Sequence, residues 1–207
     1  VQRRRHAATE RFPVNARLLS PADHVRTRWK NGGGWTTELA RSGDDDFRWR
    51  ISIAEIASDG PFSRFPGVER DLVLLDGSGI ELDIDDAPTR RVAQRFERVH
   101  FAGESNVACR LLAGPTRDFN VMARRDQVRA EVVARPLVGS MLVFPEAGSE
   151  WFAHMLAGEA GVRRGSDAWR LAAGHSLLFD FREQAGERLV IDGGGELVLV
   201  RFIPASP

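Results

Sequence analysis

Phe47-Arg48-Trp49-Arg50-Ile51-Ser52-Ile53 alternates large apolar side chains with two arginines and a hydroxyl. Successive side chains on a strand point to opposite faces, so this spelling puts Phe47, Trp49, Ile51 and Ile53 on one face and Arg48, Arg50 and Ser52 on the other. Two strand-like runs, 69–76 and 79–85, are joined by Asp76-Gly77-Ser78-Gly79, whose glycines supply the positive φ that a tight hairpin requires. Further strands are predicted at 35–42, 107–113, 118–124, 128–134, 138–144, 151–157, 175–181, 188–192 and 196–203. Few stretches hold a 3.6-residue apolar period. The reading is therefore all-β, with short strands closed into a sandwich or barrel that hides their edges.

Two internal echoes suggest a doubled architecture. Leu75-Asp76-Gly77-Ser78-Gly79-Ile80 resembles 156–162, and Gly103-Glu104 followed by Cys109-Arg110-Leu111-Leu112 resembles Gly195-Glu196 followed by Val200-Arg201-Phe202-Ile203. Together they predict two similar β units, 14–125 and 126–207, behind a flexible tail at 1–13.

The chain has 207 residues, enough to bury about 70% of the unfolded surface without staples. Its one cysteine, Cys109, has no partner for an internal disulfide, and no apolar run approaches a membrane span. The expected setting is a reducing cytoplasm, with no membrane attachment. Basic and acidic side chains number 29 each, so the three arginines at 3–5 read as a solvated end and nucleic acid is not an expected partner. Large β faces are compatible with a homodimer, but no surface is singled out.

Of the 29 basic residues 28 are arginine, and the exception is Lys30. A compact ammonium on a flexible stem is chemically distinct from a planar guanidinium, so this position reads as selected for that chemistry. It lies in the most unusual stretch in the chain, Trp29-Lys30-Asn31-Gly32-Gly33-Gly34-Trp35-Thr36-Thr37-Glu38-Leu39-Ala40, in which glycines let backbone approach a ligand while Lys30 and Asn31 supply donors. The lysine precedes the glycines and no helix pattern follows, so this is not a P-loop. A second patch, 60–70, is stiffened by proline and carries Phe62, Arg64, Phe65 and Arg70. In a third, Asp118 and Asn120 share a strand face with Met122.

These patches, with Trp49-Arg50-Ile51-Ser52-Ile53-Ala54-Glu55-Ile56, resemble the HutD/Ves family in order through about residues 17–125. The resemblance implies a bicupin, two cupin-like barrels of jelly-roll type in one chain. It further implies a regulatory component of histidine utilisation that senses an intermediate such as formylglutamate or urocanate, or, in the Ves branch, a stress-associated protein.

The ligand-binding set expected for a small carboxylate is Lys30, Asn31, Gly32, Glu38, Arg50, Ser52, Phe62, Arg70, Asp118 and Asn120. Arg50 and Arg70 are expected to clamp carboxylates bidentately while Lys30 closes the loop. The competing reading pairs both arginines with Glu38, Glu55, Asp71 or Asp118 at the surface. Many cupins hold a metal with clustered histidines and a glutamate, but His6, His24, His100, His154 and His175 do not spell that set, and no cofactor is expected. Sugar-epimerase cupins pair a histidine base with a tyrosine acid, and this chain has no tyrosine. Binding is thus favoured over catalysis, with a small-acid or sugar isomerase or lyase and a scaffold with a vestigial pocket as alternatives. Purified protein is expected to carry no stoichiometric zinc, iron, manganese or nickel on elemental analysis; one tightly held equivalent would favour the enzyme.

Overall fold

A computed structural model describes residues 15–205, apart from 45 and 184–186. The tail expected at 1–13 lies outside the described residues. Among the described residues the chain forms sixteen strands and one 3-10 turn at Pro21–Asp23. The first are β1 (Asn15–Leu19), β2 (Val25–Arg28), β3 (Gly34–Ser42), β4 (Trp49–Ile56) and the short β5 (Gly60–Pro61). Next come β6 (Val68–Asp76), β7 (Ile80–Ile84), β8 (Arg90–Val92), β9 (Arg98–Ala102), β10 (Val107–Leu111) and β11 (Thr116–Arg124). The last five include three long strands, β12 (Val128–Val143), β13 (Ser149–Arg164) and β16 (Leu189–Pro204), with the shorter β14 (Asp167–Ala172) and β15 (Ser176–Phe181) between β13 and β16 in the chain. No described helix is long and apolar enough to cross a membrane.

Three sheets result. The central one runs β2-β3-β4-β11-β6-β9, the outer one β5-β10-β7-β8, and the C-terminal one β1-β15-β13-β16-β12 with β14 on the far half of β13. The expected all-β class holds, but the sheets are not closed barrels: each is open in its hydrogen bonding. Closure comes from side chains instead. Even-numbered residues of the central sheet, among them Ile56, Leu72 and Leu74, pack against Ile80, Leu82 and Cys109 of the outer sheet. Odd-numbered ones, Trp49, Ile51, Phe119 and Val121, pack against Phe152, Val198, Val200 and Phe202 of the C-terminal sheet. A third core, including Met155, Val162, Phe179 and Ile191, is drawn wholly from the C-terminal sheet, which curls over it.

Glycine chemistry explains where the strand reading failed. The runs at 188–192 and 196–203 are one strand, β16, continuous through Gly193-Gly194-Gly195. The run at 151–157 continues through Gly158 to Arg164. Gly158 and Gly195 sit at φ +78° and +135° beside a register shift between Met155 and Ala157. A Cβ on Gly158 would lie 2.1 Å from the Gly194 carbonyl oxygen, so the residue serves close strand approach at a bulge. The echo between 75–80 and 156–162 therefore joins a hairpin turn to a bulge within a strand, and the two are not equivalent. The runs at 128–134 and 138–144 likewise merge into β12 across Pro136, which an edge strand tolerates. β1 pairs with β15, so the unit expected at 14–125 surrenders its first strand to the C-terminal sheet.

Trp49 ties the central and C-terminal sheets together. Its ring stacks on Phe202 with centroids 4.6 Å apart, and its Nε1 donates to Glu150 Oε2 at 3.1 Å. Arg48 forms an ion pair with the same carboxylate, which is 5% exposed. Trp49→Ala is expected to cost about 3–5 kcal/mol, since it removes a filled volume and also a donor to a buried acid. Urea unfolding measures this; a loss below about 1 kcal/mol, the scale of one ordinary hydrogen bond, would show that the contact is dispensable.

Candidate functional site

The stretch 29–34 forms the turn between β2 and β3. Trp29 donates its backbone N–H to Gly34 and accepts from Gly32, each at 3.0 Å, while Asn31 Oδ1 accepts from the Gly33 N–H at 3.0 Å. Trp29 Nε1 donates to Thr36 Oγ1 at 2.8 Å, fixing the indole against β3. The indole and the Glu55 carbonyl both approach Gly34 so closely that a Cβ there would lie 2.3 Å from that oxygen. Gly32 adopts φ +73°, which glycine allows at little cost. Lys30 stands exposed at the rim, with no hydrogen-bond or ion-pair partner among the described residues.

Beneath this turn the even face of the central sheet floors an open cavity of about 820 Å³. Arg50 and Ser52 come from β4, Arg70 from β6, and Asp118 and Asn120 from β11. The pairing register places Ser52 opposite Asn120 and Met122 between Arg50 and Arg70. Phe62 and Phe65 form a wall from the proline-stiffened loop.

Arg70 is 6% exposed and caged by aromatics, its guanidinium carbon lying 5.3, 5.7 and 4.9 Å from the ring centres of Phe62, Phe65 and Phe101. Its two terminal nitrogens donate to the Ser63 carbonyl at 3.3 Å and to Asn120 Oδ1 at 3.1 Å. Asn120 passes the polarity on by donating its Nδ2 to Asp118 Oδ1. Two buried atoms in this chain of contacts have no protein partner: Arg70 Nε and Asp118 Oδ2. Burial lowers the Arg70 pKa to about 10 and raises that of Asp118 to about 7; the Arg70 charge and the Asn120 amide oppose the second shift without cancelling it.

Eight of the ten expected residues line this cavity: Lys30, Asn31, Arg50, Ser52, Phe62, Arg70, Asp118 and Asn120. Gly32 and Glu38 do not. Gly32 shapes the turn, and Glu38 accepts from Arg50 Nε at 2.6 Å, so it holds the arginine and leaves the wall to it. The surface-pairing alternative is thus realised for Arg50 through Glu38. Both arginines reach the cavity already partly engaged, Arg70 through its two terminal nitrogens and Arg50 through Nε. Trp29, Thr36, Phe65 and Met122 also line the wall. Each stood in a stretch singled out from the sequence, and Met122 shares its strand face with Asp118 and Asn120.

The family model described as HutD matches residues 21–199. The chain belongs to the HutD family. Among its relatives, an uncharacterised 21.2 kDa protein in the hutC 3' region of Pseudomonas putida is 43% identical over 118 residues, 56% of this chain and 62% of that one. Protein Ves of Citrobacter koseri is 43% identical over 107 residues, 50% of this chain and 56% of that one. The chain thus spans about three fifths of the length of the curated relatives it matches. Solved structures match over nearly all of it: HutD from Pseudomonas fluorescens SBW25 has a TM-score of 0.79 at 29% identity, covering 93% of this chain and 100% of that one. A conserved protein of unknown function from Pseudomonas aeruginosa PAO1 reaches 0.83 at 28%, with the same coverage.

More distant neighbours share the fold alone, among them the Escherichia coli pirin YhhW, solved with nickel, at 12% identity and a TM-score of 0.69, covering 93% of this chain and 100% of that one. In the HutD-family chain no group of three histidine, cysteine or acidic side chains suited to a metal occurs among the described residues. Its cavity offers guanidinium, amide and one carboxyl, a donor set that does not fit such an ion. Cys109 is buried with its thiol pushed up to about 12 by desolvation, so it serves as a small apolar filler.

Asp118 links this site to pH. Its folded pKa lies above its ordinary 3.8, so between about pH 4 and about pH 7 the folded protein holds a proton that the unfolded chain has lost. Stability should therefore fall as pH rises through that window and level off above it. In urea melts without ligand, the stability of Asp118→Asn relative to the parent is expected to grow from about pH 5 to about pH 8. A constant difference would mean that Asp118 is ionised throughout.

Proposed function

We propose that this HutD-family protein is a cytoplasmic, metal-free receptor for a small carboxylate, acting as a regulatory component of histidine utilisation. The observation that carries the reading is the pairing of an unpartnered buried donor, Arg70 Nε, with an unpartnered buried acceptor, Asp118 Oδ2, on the wall of one cavity. Each such group left unmet costs about 1–3 kcal/mol, so the site favours a ligand that accepts at one end and donates at the other. Arg50 and the mobile ammonium of Lys30 supply further cationic contacts for carboxylate oxygens. Formylglutamate and urocanate both combine carboxylate with N–H, which makes them the preferred candidates among pathway intermediates. In this reading the two-unit bicupin organisation has the 14–125 half binding and the 126–207 half bracing it through Trp49.

One observation favours a second reading. A carboxyl with a pKa of about 7 is poised for proton transfer, so Asp118 gives an isomerase or lyase its acid or base. The histidine and tyrosine pair of epimerase cupins finds no counterpart here, for no histidine lines this cavity. Binding without turnover separates the two.

A panel of histidine, urocanate, formiminoglutamate, formylglutamate and glutamate, followed by mass spectrometry for consumed substrate, is the deciding measurement. At about 100 times its dissociation constant a true ligand stabilises by ~2.7 kcal/mol and raises Tm by about 5–10 °C. Lys30→Ala and Arg50→Ala should each remove most of that shift. If no compound binds, the scaffold reading stands; if one is consumed, the protein is an enzyme.

A further inference from the structure

The central sheet has a second cavity behind it. On the odd face of the same strands, where Leu39, Ile53 and Leu75 look toward the C-terminal sheet, a space of about 290 Å³ opens. Leu156 closes its apolar side, and His24, His154 and Arg117 bring polar groups to it. His154 is 2% exposed, with Nδ1 hydrogen-bonded to Ser176 Oγ at 2.8 Å. The His24 ring lies 6.3 Å from it between centroids, and His24 Nε2 is buried without a protein partner.

The charges around these rings are lopsided. Burial pushes His154 down to about 3, and every neighbour acting on it, His24, Arg117 and His175, pushes the same way. His24 is also lowered, by burial first, with Asp23 opposing and His175 assisting. Acids on the wall do little to offset this: Glu55 is held by Arg26 at 2.9 Å, and Asp76 is exposed at the margin. Arg95 is paired with Glu196 at 2.5 Å. The cavity therefore combines a buried imidazole end, an exposed guanidinium at its mouth and an apolar floor.

We propose that this cavity is a second ligand site, taking a small monocarboxylate with an apolar body, its carboxylate received by His24 and Arg117. An apolar cavity of about 150 Å³ holds benzene, so this one has room for an aromatic ring with its acid group. An anion at this point favours the protonated form of His24, so affinity rises as pH falls through the titration of that group. The site is independent of the Arg50 and Arg70 cavity, to which the sheet turns its opposite face.

Benzoate is the probe, and the imidazole resonances in proton–nitrogen NMR spectra are the reporters. No histidine lines the other cavity, so their response isolates this one. Benzoate is expected to shift the His24 and His154 signals saturably, with one equivalent bound and affinity rising as pH falls to and below the ordinary imidazole range, since the His24 pKa is lowered from 6.5. Arg117→Gln, at an exposed position, should weaken binding about tenfold, as loss of one charge-assisted contact would. Absence of a saturable shift would overturn the proposal, and so would affinity indifferent to pH and to Arg117→Gln. A stoichiometric response of the same signals to zinc and none to benzoate would also overturn it, making the pair a cation site.

Discussion

The central sheet must satisfy two interiors at once, and the alternation of its side chains is the constraint on which the rest depends. On β4 and β11 the odd positions Trp49, Ile51, Phe119 and Val121 enter an apolar interface with the C-terminal sheet, while the even positions floor a polar cavity. A slip of one residue would drive Arg50, Asp118 and Asn120 into that apolar layer and expose Ile51 and Phe119 to the cavity. Trp49 guards against this. Its stack on Phe202 and its bond to Glu150 are available only in the observed register, and the buried ion pair with Arg48 ties the same carboxylate to the adjacent residue. A buried charge pair adds little net stability, but breaking one is costly, so the contact specifies alignment more than it stabilises.

The sequence made the central sheet legible because both of its faces are spelled with period two. Arg50, Ser52, Asp118 and Asn120 could be assigned to shared faces before any neighbour was known, and the turn at 30–34 announced itself by its glycines. What stayed hidden was what lies opposite. The polar face of 47–53 read as either a ligand wall or a surface of paired arginines, and what the sequence could not show is that segments 29–31 and 61–65 cover it. Glu38 could not be separated from the wall residues, since a carboxylate that holds an arginine and one that meets a ligand look alike in sequence. The long strands of the C-terminal sheet were cut short for a related reason: glycine marks a turn and a bulge with the same letter, and only cross-strand partners tell Gly158 from Gly77. β1 was missed because its partner, β15, lies some 160 residues away along the chain.

Burial of Arg70 and Asp118 is where the fold spends stability on chemistry. Three aromatic rings replace part of the guanidinium's hydration, and Asn120 stands between cation and acid, bonded to each. That intervening amide matters. Were Arg70 and Asp118 in direct contact, their mutual attraction would consume the donor and acceptor and hold the acid ionised well below neutrality. Separated by one amide, each retains an unpartnered atom and Asp118 stays near its midpoint at neutral pH. Fold-mates such as the nickel-bound pirin show that this architecture accommodates other centres, so the fold alone does not assign the chemistry. Here the chemistry rests on a few inward positions, and the unsatisfied pair they carry asks for a partner that brings both an anion and a donor.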